Sequence, residues 1–245
     1  MAHADAAEVT LETIRAETER VVATAGSLRN DAVLAPSLCV GWSRGHVLTH
    51  LARNAEALER VCAAATSGTG QTMYESDEIR DAEVAAGARR SAGVLAEDVR
   101  VTAEQLAGAL ASLGPQHASM TVPRTPGGRL LPVGRLRYLR LRELVFHHVD
   151  LDAGYGFEQL SPPLAQLFLD DAVARLVAQH PSPDGGPLEL ETDEGSTYVI
   201  APAGQKRPAS VRVSGSRAAM LLWLARGIDR GLASTAPLPD LPNGG

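Results

Sequence analysis

Apolar positions Val9, Leu11, Ile14, Val21 and Val22 recur among Glu, Arg and Thr over residues 7–28, the spacing of an amphipathic helix that buries one stripe. Gly26 and Ser27 weaken its end, and the pairs Asn30-Asp31 and Pro36-Ser37 mark residues 29–41 as a connection. Ser43 then stands where an N-cap is needed. A second helix is predicted over 43–65, with Val47, Leu48, Leu51, Ala55, Leu58 and Val61 as its buried stripe. His46, His50 and Asn54 form a polar ladder along the same helix. Ser76, ahead of Asp77 and Glu78, caps a third long helix reaching about residue 111, with a bend at Gly87 or Gly93. Four prolines and a Gly-Gly pair in residues 115–134 predict a loop or short hairpin. A fourth helix follows over 135–155, ending near Gly154 or Gly156.

Past Leu160-Ser161-Pro162-Pro163 the pattern changes. One more amphipathic helix is predicted over 164–180, then three strand-like runs: LELET at 188–192, STYVIA at 196–201 and ASVRVSG at 209–215. The first two are joined through Asp193-Glu194-Gly195, and Ser216 caps a final helix to about Gly227. The tail STAPLPDLPNGG is disordered in composition. The expected architecture is mainly α: a four-helix bundle over residues 1–160 and a small α/β domain over 161–245.

Composition supports helices. Of the 245 residues, 44% are hydrophobic but only 4% aromatic, so the core is built from Ala, Leu and Val, which suits closely packed helices. A net charge of −6 argues against nucleic-acid binding, which needs a basic surface to release counterions. No apolar run has membrane-spanning length, and the charged start MAHADAAEVTLETIRAETER does not resemble a signal peptide. A cytoplasmic, monomeric protein is expected, with no nucleic-acid or membrane partner. Cys39 and Cys62, the two cysteines, form neither a disulfide framework nor a metal-ligand spacing. Cys62 reads as a small buried hydrophobe. Any sulfur chemistry is therefore expected to use an external thiol.

The densest chemistry lies in RLRYLRLRELVFHHVDLDAGY. At about 100° per residue, Glu143, His147 and Asp150 fall within a ~60° sector, whereas His148 sits ~140° from Glu143. Glu143 and His147 alone would make an ordinary side-chain pair on a helix. His46 or His50, from the second helix, would turn that pair into a metal site of two imidazoles and a carboxylate with a fourth position open. Spacing alone leaves the choice between those two histidines open. Asp150 would either orient a ligating imidazole or meet solvent at the helix end.

The runs GWSRGHVLTHLARNAEAL and RLRELVFHHVDLDAG resemble the two signature segments of mycothiol-dependent maleylpyruvate isomerases, members of the DinB-like metal-binding four-helix bundles. MYESDEIRDAEVAAGA and VSGSRAAMLLWLARG are similar to that family as well. The resemblance implies a zinc site of His50, Glu143 and His147, with mycothiol as cosubstrate and a small dicarboxylate, maleylpyruvate, converted to fumarylpyruvate in gentisate-type aromatic breakdown. It implies that a thiolate adds to the cis double bond, that the resulting enolate rotates, and that expulsion of the thiolate leaves the trans isomer. Arg226, in the ARG run of the closing helix, is the expected clamp for a substrate carboxylate, with Arg140 as a second candidate. A mycothiol S-transferase and a metal-stabilised binding module without turnover are the alternatives.

Overall fold

The computed structural model describes residues 9–179, 187–201, 211–239 and 241. They are mainly helical and divide into two units, one up to Tyr155 and one from Gly156. Among the described residues no helix is long and apolar enough to cross a membrane.

In the first unit, α1 (Leu11–Ser27) and α2 (Arg44–Ser67) are amphipathic as their spacing demands. Thr10 caps α1 by accepting from the Thr13 amide. Ser43 caps α2, its Oγ accepting from the His46 amide while the Ser43 amide donates to His46 Nδ1. The α2 stripe Val47, Leu48, Leu51, Ala55, Leu58 and Val61 is at most 1% exposed; cutting any one of its leucines to Ala would cost about 2–5 kcal/mol. Two glycines, one on α2 and one facing it, let the chain approach closely. A Cβ on Gly45 would run into the Ala88 carbonyl, and one on Gly87 into Thr49.

The single long helix expected from Ser76 onward is two: α3 (Asp77–Gly87) and α4 (Ala92–Ala111). The break is stabilised locally. Arg90 Nε donates to the Gly87 carbonyl and Nη2 to Asp98, while Ser91 takes the N-cap position of α4. Gly87 and Ser91 both compete poorly as helix-interior residues, so the chain leaves the helix where these bonds hold it. Helix α4 packs against α1 and α2. Residues 115–134 contain a hairpin of β1 (Thr121–Pro123) and β2 (Leu130–Pro132), with Val122 opposite Leu131.

Helix α5 (Leu136–Asp150) packs against α1 and α2 and is shorter than expected. It ends at Asp150 because Asp152 adopts φ 46° and Gly154 φ 90°, both outside the right-handed helical region. The expectation of four helices of 20 residues or more fails accordingly: α1 has 17 residues and α5 has 15. Packing of the apolar faces, more than helix length, holds this unit together.

In the second unit, α6 (Pro162–Gln179) packs against α7 (Arg217–Arg226). A four-stranded sheet runs in the order β4 (Thr197–Ile200), β3 (Leu188–Thr192), β5 (Val211–Gly215), β6 (Leu232–Ser234). Strand β3 pairs antiparallel with β4 and parallel with β5. Leu188 faces Ile200, Leu190 faces Val213, and all four are buried. Ser216 caps α7 through the Ala219 amide, and Gly227 ends it at φ 68°. Strand β6 corrects the reading of the tail, whose first residue, Ser234, pairs with Val213. The predicted helix start at 7, the link after 180 and the strand start at 209 lie outside the described residues.

Candidate metal centre

His50 and the pair Glu143 and His147 come from facing helices, α2 and α5, and meet in the first unit. His50 Nε2 donates to Glu143 Oε2 at 2.9 Å, and His147 Nε2 lies 3.3 Å from that same oxygen. The two rings meet edge to face with centroids 4.7 Å apart. One donor atom from each residue falls within 4.8 Å of the others. Side-chain exposure rises from 9% at His50 through 15% at His147 to 24% at Glu143, so the cluster opens to solvent on the α5 side.

Electrostatics follow from that crowding. Burial pushes the Glu143 carboxyl up, but hydrogen bonds from His147 and His50 outweigh burial and hold it well below the usual range. Burial lowers the His50 imidazole, and the nearby Arg80 guanidinium adds to that. His147 is lowered by burial too, yet its contacts with Asp150, Cys39 and Glu143 carry it well above its ordinary value. The chemistry of the donor set fits a divalent cation: two Nε2 atoms are turned on one ionised oxygen, the two-imidazole, one-carboxylate set that such an ion takes. His50 Nδ1 is buried with no hydrogen-bond partner.

The other side of His147 is also occupied. Its Nδ1 donates to Asp150 Oδ2 at 2.8 Å, and Cys39 Sγ donates to that oxygen at 3.1 Å. Asp150 has no exposed side-chain surface. With Nδ1–H held by Asp150, the Nε2 lone pair is the one available to an ion. Sequence reasoning anticipated Asp150 in the sector but missed Cys39, which comes from a loop and reaches His147 across the fold. Trp42 was missed for the same reason. Its ring centroid lies 5.3 Å from that of His50 and 6.4 Å from that of His147, forming a wall of the cluster. The signal was in SLCVGWS, where Gly41 at φ 81° turns Cys39 and Trp42 back ahead of the capped helix.

The remaining candidates are placed as follows. His46 is the capping side chain of α2, its Nδ1 accepting from the Ser43 amide. His148 turns away from the cluster, bonding Thr24 Oγ1 of α1 through Nε2 at 2.7 Å and stacking on Tyr155; burial pushes it down to about 4. Arg140 is wholly buried, with Nη1 donating to the Leu51 carbonyl at 2.8 Å and to Asn54 Oδ1 at 3.0 Å. It therefore braces α2 against α5 directly behind the cluster. Burial pushes its guanidinium down to about 10. Arg226 ends α7 in the second unit, where Nη1 donates to the Ala225 carbonyl.

A bundle that turns imidazoles and a carboxylate from facing helices toward one point has the architecture with which helical proteins hold a cation in the core. The family model of the mycothiol maleylpyruvate isomerase N-terminal domain matches residues 14–152, and the chain belongs to that family. Two solved structures are similar to it, a crystal structure of the mycothiol-dependent maleylpyruvate isomerase and one of a histidine-to-alanine mutant of it. Each shows 27% identity and a TM-score of 0.82, over 95% of this chain and 95% of its own. Curated protein sequences give no match.

Proposed function

We propose that the chain is a zinc-dependent, mycothiol-using cis–trans isomerase that converts maleylpyruvate to fumarylpyruvate, with His50, Glu143 and His147 holding the ion. The observation that carries this reading is the meeting of two imidazole Nε2 atoms on one oxygen of Glu143 in a chain of this family. Bound there, the ion supplies Lewis acidity that keeps a thiol ionised near neutral pH.

The chain's own groups account for the rest. Glu143, held ionised, offsets the cationic charge, and Asp150 fixes His147 with Nε2 free. Trp42 lines the site beside both imidazoles. A thiolate adds to one carbon of the cis double bond, and the electron pair moves onto the neighbouring carbonyl as an enolate. The bond between the two carbons is then single and turns. Return of the pair expels the thiolate and leaves the trans olefin, so no electron or proton is consumed. The substrate carries two carboxylates, which calls for cations, and Arg226 is the candidate that the family resemblance names.

The test is metal analysis of the purified chain, followed by an assay on maleylpyruvate with and without mycothiol. Turnover is expected only with both metal and thiol. Undiminished isomerisation by zinc-free protein, or a stable thiol adduct in the product mass spectrum, would overturn the reading.

A further inference from the structure

His147 presents a different donor set on each side of its ring. The Nε2 side carries only nitrogen and oxygen donors. On the Nδ1 side stand Cys39 Sγ at 3.9 Å and Asp150 Oδ2 at 2.8 Å, with Sγ and Oδ2 3.1 Å apart. These three atoms also lie within 4.8 Å of one another. We propose that Cys39, Asp150 and His147 Nδ1 form a second, sulfur-containing cation site selective for thiophilic divalent ions, and that filling it competes with the first site for His147.

The geometry is close to what such an ion needs. Around a tetrahedral centre with bonds of about 2.0–2.3 Å, neighbouring donors stand about 3.3–3.7 Å apart. The observed separations bracket that range, so shifts of several tenths of an ångström suffice. Cys39 can supply those that involve Sγ, because it is half-buried in a loop and the next residue, Val40, is fully exposed. Asp150 is buried without exposed surface and already accepts on Oδ2 from both partners. An ion entering there replaces the Sγ proton, which is released to solvent, and displaces the Nδ1 proton to Nε2 of the same ring, with no change of oxidation state. Sulfur among the donors favours Cd²⁺ or Zn²⁺ over Mg²⁺ or Ca²⁺.

The competition follows from the ring. A neutral imidazole has one free lone pair, and committing Nδ1 to an ion leaves the proton on Nε2, facing Glu143. The first site then retains only His50 and Glu143. That second half of the inference rests on the proposed function; the existence of the sulfur site does not.

Metal-free full-length protein titrated with Co²⁺ tests both halves. The first site contains no sulfur, so a thiolate-to-cobalt charge-transfer band in the near ultraviolet reports Cys39. The band is expected in excess Co²⁺, and Cys39→Ser is expected to lose it. Absence of the band, or its persistence in Cys39→Ser, overturns the proposal. As a check independent of any variant, Cd²⁺ but not Mg²⁺ should slow alkylation of Cys39 by about tenfold or more, because a coordinated thiolate is no longer a free nucleophile; equal rates would count against the site. Adding Cd²⁺ to zinc-loaded protein should release zinc to a chromophoric chelator, and a sulfur site that fills without release refutes the competition. Protein that shows the thiolate band but binds no ion in Cys39→Ser would sink the proposed function and leave the sulfur site standing.

Discussion

Asp150→Asn separates the support of His147 from its role as a donor. In the native chain the Nδ1–H of His147 meets a carboxylate at 2.8 Å with no exposed side-chain surface, a charge-assisted bond that raises the basicity of Nε2. Asparagine keeps the shape and one acceptor but removes the charge, and its amide end competes for the same position. Loss of such an outer partner typically costs 10–100-fold in metal affinity, or about 1.4–2.7 kcal/mol. Fold stability should fall less. A neutral amide no longer bears the desolvation cost of a buried carboxylate, which partly offsets the weaker hydrogen bond. The measurement is Zn²⁺ affinity by competition with a chromophoric chelator, paired with thermal denaturation of the metal-free protein. Affinity within about twofold of native in a variant that melts normally would refute the idea that Asp150 tunes His147.

Four further outcomes follow from the same structure. Zn²⁺ at about a hundred times its Kd should stabilise the chain by about 2.7 kcal/mol and raise Tm by about 5–11 °C, reversed by chelation; an unchanged melt would mean no ion binds the native state. Gly45→Ala should cost about 1–3 kcal/mol and also weaken Zn²⁺ binding, since the new methyl meets the Ala88 carbonyl at the start of the helix carrying His50; a fully stable variant would contradict the packing. Ellman's reagent at pH 8 should label one thiol in native protein and two after unfolding, because Cys62 is 1% exposed and burial pushes its thiol up to about 11, leaving it protonated at that pH; rapid labelling of two would show the fold wrong there. Co²⁺ should quench a component of the tryptophan emission that Trp42→Phe removes, given the 5.3 Å between the Trp42 and His50 rings, and quenching that survives that substitution would place the ion elsewhere.

Much of the scaffold was legible because it depends on local rules. Apolar spacing located α1, α2 and α6, and the serines at 43, 76 and 216 sit at N-caps where a hydroxyl satisfies an otherwise open amide. The misses are places where tertiary contacts decide. Nothing in the alternation around Gly87 distinguishes a bend from a break; Arg90, reaching both the Gly87 carbonyl and Asp98, settles it. Strand β6 has only three residues and gains its bonds from β5, so no periodicity was available to detect it.

The site divides along the same line. Glu143 and His147 share a face by helical geometry, and that part needs only the sequence. Which histidine of α2 joins them is decided by the cap: Ser43 engages the His46 ring through a hydroxyl and an amide, and one turn later His50 is carried to Glu143. Register is then held from behind by Arg140, which ties α5 to the Leu51 carbonyl and Asn54 on α2. The polar ladder His46, His50, Asn54 thus has three separate tasks, capping the helix, offering a donor and receiving the brace. A charge buried at Arg140 costs stability unless it fixes something, and what it fixes is the separation between His50 and the α5 donors.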